Sequence, residues 1–448
     1  MKAIAIILRG CSAGWLGAYG NEWIATPHLD RFAAESVVFD RHISDRPDPV
    51  AAGEAWLGRS RAPEAQLTAK LKAAGVHTIL VRANHPDTDG PDWFYAAWAE
   101  VFDARPLEED KSPLDCLIRT LPALLDRLAD VPDVLLWVEI DRLLPPWDVR
   151  QDVFEAYVEE KDEESEGSRE GEWREKNELD AETDEGDDDE SETEDDDGDE
   201  LEAEENQPGG GLSTLSHSPL SDAHTPDLAV TPCSDPPVGP FDAADADAVE
   251  WVYWSLAAVV TSLDAELGKV FDQLRARGLD QSATWVLTSD HGFPLGEHGQ
   301  IGLHRPWLHE ELVHLPLILR LPNGAEACRR ISDFTQPPDI APTLLDLFGL
   351  PPVAGQSLLP QCRGEAVSRR PHAVTTLELN GAAEVAIRTE DWAFLLPVTV
   401  PDGEKREPLL FEKPNDRCEV DDQRSRNVAR ADELEQQLRA LVGVEPPD

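Results

Sequence analysis

The sequence predicts an α/β protein in which a mostly parallel sheet is flanked by helices and followed by a small C-terminal α+β subdomain. Two observations predict it. Up to about residue 370, short apolar runs alternate with amphipathic helical stretches, the pattern of right-handed βαβ crossovers. After about Pro371 the runs AVTTLEL, EVAIRTEDWAFLL and EPLLFEK alternate residue by residue, as antiparallel strands do.

Taken in order, Ala3–Leu8 reads as a buried parallel strand. Thr26-Pro27 then offers a cap and a first-turn proline to the helix HLDRFAAES, and VVFD is the next strand. A helix over Ala65–Ala74 stops at Gly75 before the strand VHTILVR. The amphipathic helix Leu114–Leu128 leads to the strand Val134–Val138. A long helix over Asp242–Arg277 stops at Gly278 and leads to the strand TWVLTS. Further on come a strand at Leu315–Leu321, a helix at Pro338–Phe348 and a last amphipathic helix at Ala431–Val442.

Between these halves the pattern breaks. Residues 159–205 carry 28 Asp/Glu against four Lys/Arg, and Gln207–Pro240 is rich in Pro, Ser, Gly and Thr. Such a stretch lacks the apolar area to offset its ordering entropy, so it is expected to be disordered. The expected domains are therefore an α/β domain over 1–158 and 241–370, an acidic and Pro/Ser-rich insertion over 159–240, and an antiparallel-sheet subdomain over 371–448.

Hydrophobic content of 41% with 13 Trp suits a large core, and the formal charge of −51 stays acidic outside the insertion. That balance disfavours nucleic acid and anionic membranes, and the tract suits basic protein partners. Six scattered cysteines form no CxxC pair, which argues against a zinc ribbon or a dense disulfide framework. No apolar run approaches ~18 residues, and the chain opens directly into a strand, so a cytoplasmic location is expected.

The chemistry concentrates in TWVLTSDHGFPLGEHG. Its strand ends at Ser289-Asp290-His291-Gly292, placing a carboxylate and an imidazole at the carboxyl end of a parallel strand, where open sheets build their sites. The pair reads either as ligands of a divalent cation or as a capping Asp beside a loop His. His298 in GEHG reads as structural or as part of the rim.

Several co-linear segments resemble the sulfatase family of the alkaline-phosphatase-like superfamily. They are LGAYGN with TPHLDRFAAESVVFD, ARGLDQSATWVLTSDHGFPLGEHG, HEELVHLPLILRLP, QPPDIAPTLLDLFGLPPVAGQSLLP and LLFEKPNDRCEVDDQRSRNVA. The resemblance implies hydrolysis of sulfuric esters with an activated nucleophile and a divalent cation, calcium or magnesium. The family's first strand ends in acidic metal ligands, whereas this chain has Arg9 followed by Gly10. Where the formylglycine-forming Cys or Ser belongs stands Asp48, with Ala52 in place of the following Arg, so no formylglycine is expected. The family's D-P-H stretch corresponds to Arg142–Trp147, with Leu144 or a neighbour in place of the His. His304 and Arg305 match the family's Lys or His near LYEE.

By resemblance the candidate catalytic positions are thus Asp48, His304 and Arg305, and the metal positions Asp290 and His291, with Arg9 replacing an acidic ligand. Arg9 is expected to take the cation's place by pairing with Asp290 and with Asp48, since a guanidinium repels a dication and an unpaired buried Asp290 is costly. A nucleophilic Asp48 is the less favoured reading, a loop carboxylate bonded to a neighbour the favoured one. The expectation is a sulfatase-family protein with hydrolysis lost or strongly reduced and a binding or regulatory role. The alternatives are an active sulfate- or phosphate-ester hydrolase with an altered site, and an interaction scaffold built on the acidic insertion.

Overall fold

The apolar runs become the strands of one eight-stranded sheet: β1 (Lys2–Leu8), β2 (Val37–His42), β3 (His77–Ala83), β4 (Glu100–Asp103), β5 (Val134–Ile140), β7 (Ala283–Thr288), β9 (Leu317–Arg320) and β10 (Arg329–Thr335). Between them, β6 (Gly239–Pro240) and β8 (Gln300–Ile301) form a separate two-residue pair. The structure, a computed structural model, describes residues 1–58, 66–105, 112–159, 231–242, 244–401 and 403–444.

The sheet order is β10-β2-β9-β7-β1-β5-β3-β4. All neighbours run parallel except β2/β9 and β7/β9. The central strand β1 pairs with β5 on one side and β7 on the other, and all three are almost wholly buried, so they need apolar residues on both faces. From β1 the chain goes to β2 on one flank and then to β3 on the other. That reversal opens a crevice at the carboxyl ends of β1, β5 and β7, where sheets of this kind place their sites.

Among the described residues, the helices preceding the C-terminal sheet include α1 (Pro27–Ala34), α2 (Pro49–Trp56), α3 (Leu67–Ala73), α4 (Asp92–Ala96), α5 (Pro113–Arg127), α6 (Ala246–Arg275) and α7 (Ile340–Leu347). Phe32 of α1, Phe271 of α6 and Trp285 of β7 stack with centroids 4.9–6.0 Å apart and close one face of the sheet. On the other face Trp56, Trp98 and Trp137 meet at 5.4–5.5 Å. The expected helix at 65–74 starts at Leu67, and α2 and α4 form where no helix is expected from the sequence.

The C-terminal strands β11 (Ala373–Leu379), β12 (Ala382–Arg388), β13 (Trp392–Thr399) and β14 (Leu409–Glu412) make an antiparallel meander. Helix α8 (Val428–Val442) lays Ala431, Leu434 and Leu438 on one side of it. The other side shares a core with the large domain: Ala373, Leu377 and Phe411 pack with Ile43, Leu312 and Phe334. Sheet and domain therefore bury one continuous apolar surface.

The chain divides into two units, Met1–Tyr157 with Pro232–Asp448, and Val158–Thr231. The disorder expected of the acidic tract falls on residues outside those described. Its expected end at residue 240 is too late. Cys233 is buried, its N–H donating to Ser255 Oγ at 2.8 Å, and Gly239–Pro240 pairs with Gln300–Ile301. A few anchoring contacts hold this stretch, which composition does not register.

Candidate functional site

The carboxyl ends of β1 and β7 are tied together by the residues of the SDHG motif. Ser289 Oγ accepts the Cys11 N–H at 3.0 Å and donates to the His291 carbonyl at 2.8 Å. Asp290 Oδ1 accepts the N–H groups of Gly10 and His291, each at 2.9 Å. Its other oxygen faces Arg9 Nε at 3.1 Å, with both side chains buried. Gly292 is required by a close approach, because a Cβ there would fall 1.9 Å from the Glu311 carbonyl oxygen.

The expected pairing of Arg9 with Asp290 is present, and the expected pairing with Asp48 is not. Asp48 is the N-cap of α2, its Oδ1 accepting the Ala51 N–H at 2.9 Å, and it makes no ion pair with Arg9 among the described residues. A helix N-terminus offers unsatisfied N–H groups, and a carboxylate at the cap meets them locally. The second carboxylate facing Arg9 is Glu139, from the fully buried β5. One lone acid in the run VLLWVEI is the signal that could have found it.

Arg9 is further held by the Thr88 carbonyl, which accepts from its Nη1. Thr88 is itself fixed by Asp141, which accepts from the Thr88 hydroxyl at 2.7 Å and from the His85 N–H at 2.7 Å. Asp141, His85 and Thr88 are thus further site residues that the motif reading does not single out.

Burial opposes the charge on Arg9, but Asp290 and then Glu139 more than restore it, so its proton is held more firmly than usual. Burial likewise raises Asp290, and His291, Arg9 and the Gly10 N–H together bring it below the ordinary carboxylate value. Glu139 goes the other way. Burial pushes it up to about 7 despite Arg9, and its Oε2 has no hydrogen-bond partner. Cys11 is no nucleophile here, since complete burial pushes its thiol far up.

Arg9, Glu139 and Asp290 line a cavity of only about 20 Å³, closed by Pro49, Val50, Gly53 and Trp56 of α2 and by Pro91, Trp93 and Phe94 at α4. That is room for about one water. Gly10 has a φ of +76°, and a Cβ there would lie 2.5 Å from Leu144 Cδ2. Gly10 and Leu144, two departures from the family pattern, are therefore neighbours in space.

The divalent cation that the resemblance implies does not fit these residues. Asp290 already has both oxygens engaged, by Arg9 and by two backbone N–H groups. His291 keeps Nδ1 on the Gly292 carbonyl at 2.7 Å and its Nε2 lies 3.9 Å from Asp290. Among the described residues, no three His, Cys, Asp or Glu side chains converge as a metal site. A hard dication needs several oxygen ligands, and a guanidinium at its place repels it.

His304 and Arg305 belong to a different neighbourhood and touch neither Arg9, Asp290 nor His291 among the described contacts. Arg305 lies over the Trp307 ring at 4.6 Å and 3.5 Å from Glu404, while the His304 carbonyl accepts from Asn380 Nδ2. His298 is part of a buried network. It donates from Nδ1 to Glu311 (2.7 Å) and from Nε2 to the Glu419 carbonyl (3.1 Å), and it stacks on His309 at 3.8 Å. Burial lowers His298, but Glu311 outweighs it and raises the imidazole to about 9. Arg388 and Lys413 join Glu310 to Glu419 behind it at 2.9–3.4 Å.

An eight-stranded mixed sheet followed by a C-terminal antiparallel sheet is the fold of this chain. Two solved structures share it across nearly their whole length. The phosphonate monoester hydrolase of Agrobacterium radiobacter has a TM-score of 0.65 at 15% identity, covering 99% of this chain and 95% of that one. A protein solved with its substrate D-glucosamine-2-N,6-O-disulfate has a TM-score of 0.65 at 16% identity, covering 98% and 97%.

By sequence, the family model described as Sulfatase matches residues 187–350. Arylsulfatase K of Bos taurus is 29% identical over 237 residues, which is 50% of this chain and 42% of that protein. The N-acetylglucosamine-6-O-sulfatase of Bacteroides thetaiotaomicron is 34% identical over 111 residues, 24% of this chain and 20% of that one. Over this stretch the chain is similar to the sulfatase family. Its matched stretch spans less than half the length of the curated relatives.

Proposed function

We propose that this protein has lost, or strongly reduced, sulfuric-ester hydrolysis and works by binding or regulation. The observation that carries the reading is the buried Arg9–Asp290 ion pair beside a cavity of about 20 Å³, at the point where the family resemblance calls for a metal and a nucleophile. A tethered guanidinium supplies one positive charge and no Lewis-acid coordination, so it cannot activate a hydroxyl as a bound cation does. Asp48 is turned into a helix cap and is not among the residues lining that cavity.

A binding role is supported by a neighbouring cavity of about 310 Å³, within the usual size of small-molecule sites, whose walls include Asn21, Trp23, Tyr253, Glu297 and Arg417. The ligand class that the resemblance suggests is a sulfate- or phosphate-ester small molecule. The second reading, a working hydrolase, is favoured by the matched relatives being named as sulfatases and by the presence of Asp290 and His291.

Metal analysis and turnover of aryl sulfate and aryl phosphate, with and without added calcium or magnesium, separate the two. Expected are substoichiometric metal and no turnover above buffer. Turnover that needs a divalent ion and disappears in Asp290→Ala would establish the hydrolase instead.

A further inference from the structure

At the opposite, amino edge of the sheet, α5 and the turn after α6 part above β1 and β5 and leave a cavity of about 420 Å³. Its walls are aliphatic: Ile4, Leu125, Leu128, Leu136 and Leu279. Packed interiors leave few voids larger than a water, and a pocket of this size lined by Leu and Ile is a ready receptor for an apolar body. It lies at the other end of β1 from Arg9, so it is independent of the reading given to the carboxyl edge.

The rim fixes the chemistry of the ligand's head. Two cations, Lys2 and Arg277, stand there against one carboxylate, Asp126, in a chain whose formal charge is −51. Asp126 is already used, accepting from Arg277 Nε at 2.9 Å. Lys2 Nζ donates to the carbonyls of Leu128 and Ala129, each at 3.0 Å, at the C-terminal end of α5. Among the described residues no carboxylate lies within ion-pair distance of it. An ammonium has three N–H donors, so one proton of Lys2 is left for a further acceptor at the cavity mouth. A ligand cation would meet two like charges there, and a neutral head would leave that donor to water.

We propose that this cavity binds a free single-chain aliphatic acid, its hydrocarbon tail against Ile4, Leu125, Leu128 and Leu279 and its carboxylate on Lys2. The test is calorimetric titration of the full chain with decanoate below its micelle concentration, beside decylammonium of equal chain length. Decanoate is expected to bind saturably at one site, and decylammonium at least tenfold more weakly. Lys2→Glu, a rim substitution outside the core, is expected to weaken decanoate by about tenfold or more, the worth of a charge-assisted hydrogen bond. Leu128→Trp, which fills the cavity, is expected to abolish binding; should that variant not fold, Lys2→Glu decides alone. The proposal is overturned by any of three results: no saturable binding, equal binding of the two amphiphiles, or unchanged affinity in Lys2→Glu.

Discussion

Around Asp290 and Glu139 one guanidinium answers two buried carboxylates, whereas around Glu310 and Glu419 two full cations, Arg388 and Lys413, answer two. All four acids are out of solvent or nearly so. Their protonation nevertheless diverges: Glu419 and Glu310 are held below the ordinary carboxylate value, and Glu139 is pushed up to about 7. Burial raises every one of them first; charges and hydrogen bonds bring Asp290, Glu310 and Glu419 back down, whereas Glu139 keeps an oxygen with no hydrogen-bond partner. The network is built as a clamp between the large domain and the C-terminal sheet. The aligned centre is built as a plug that leaves one acid short of a partner.

The comparison breaks most sharply at Arg388. Arg388→Met leaves Glu310 and Glu419 with Lys413 as their remaining full cation, and should cost about 4 kcal/mol of stability, the range for stripping one partner from a buried pair. A urea unfolding midpoint that hardly moves would show the clamp to be dispensable.

The centre should respond through pH. Glu139 has a folded value of about 7 against an ordinary 4.5, so folding favours its protonated form. The wild type therefore keeps this contribution below about pH 4.5 and loses it as pH rises through 7. Glu139→Gln cannot ionise and should gain about 2 kcal/mol relative to wild type between pH 5 and pH 8. Parallel pH profiles for the two proteins would mean that Glu139 is satisfied after all.

The smallest effect belongs to Asp48. Asp48→Ala removes a helix cap and should lower stability by about 1 kcal/mol, with aryl-ester turnover unchanged. A urea unfolding midpoint that does not move would reverse its assignment.

Much of the fold was legible because β1, β5 and β7 are buried on both faces and must be written in apolar residues. Asp290 and His291 were legible for a related reason, as polar residues at the end of such a run. Glu139, Asp141 and Thr88 were not singled out, because their roles arise from β5 lying beside β1, a long-range pairing absent from local pattern. Helices α2 and α4 escaped for the opposite reason. They are short, rich in Pro, Gly or aromatic residues, and stable through packing on Trp56, Phe94 and Trp137 rather than through propensity. His304 and Arg305 were placed by alignment, and alignment carries no information on which way a loop turns.

Leu144 fills the space that any side chain at position 10 would need, while Arg9 fills the charge that a metal would bring. An acid restored at position 9 alone would face Asp290 and Glu139 with no cation, and one restored at position 10 alone would collide with Leu144. Positions 9 and 10 are thus held by different neighbours, one through charge and the other through space.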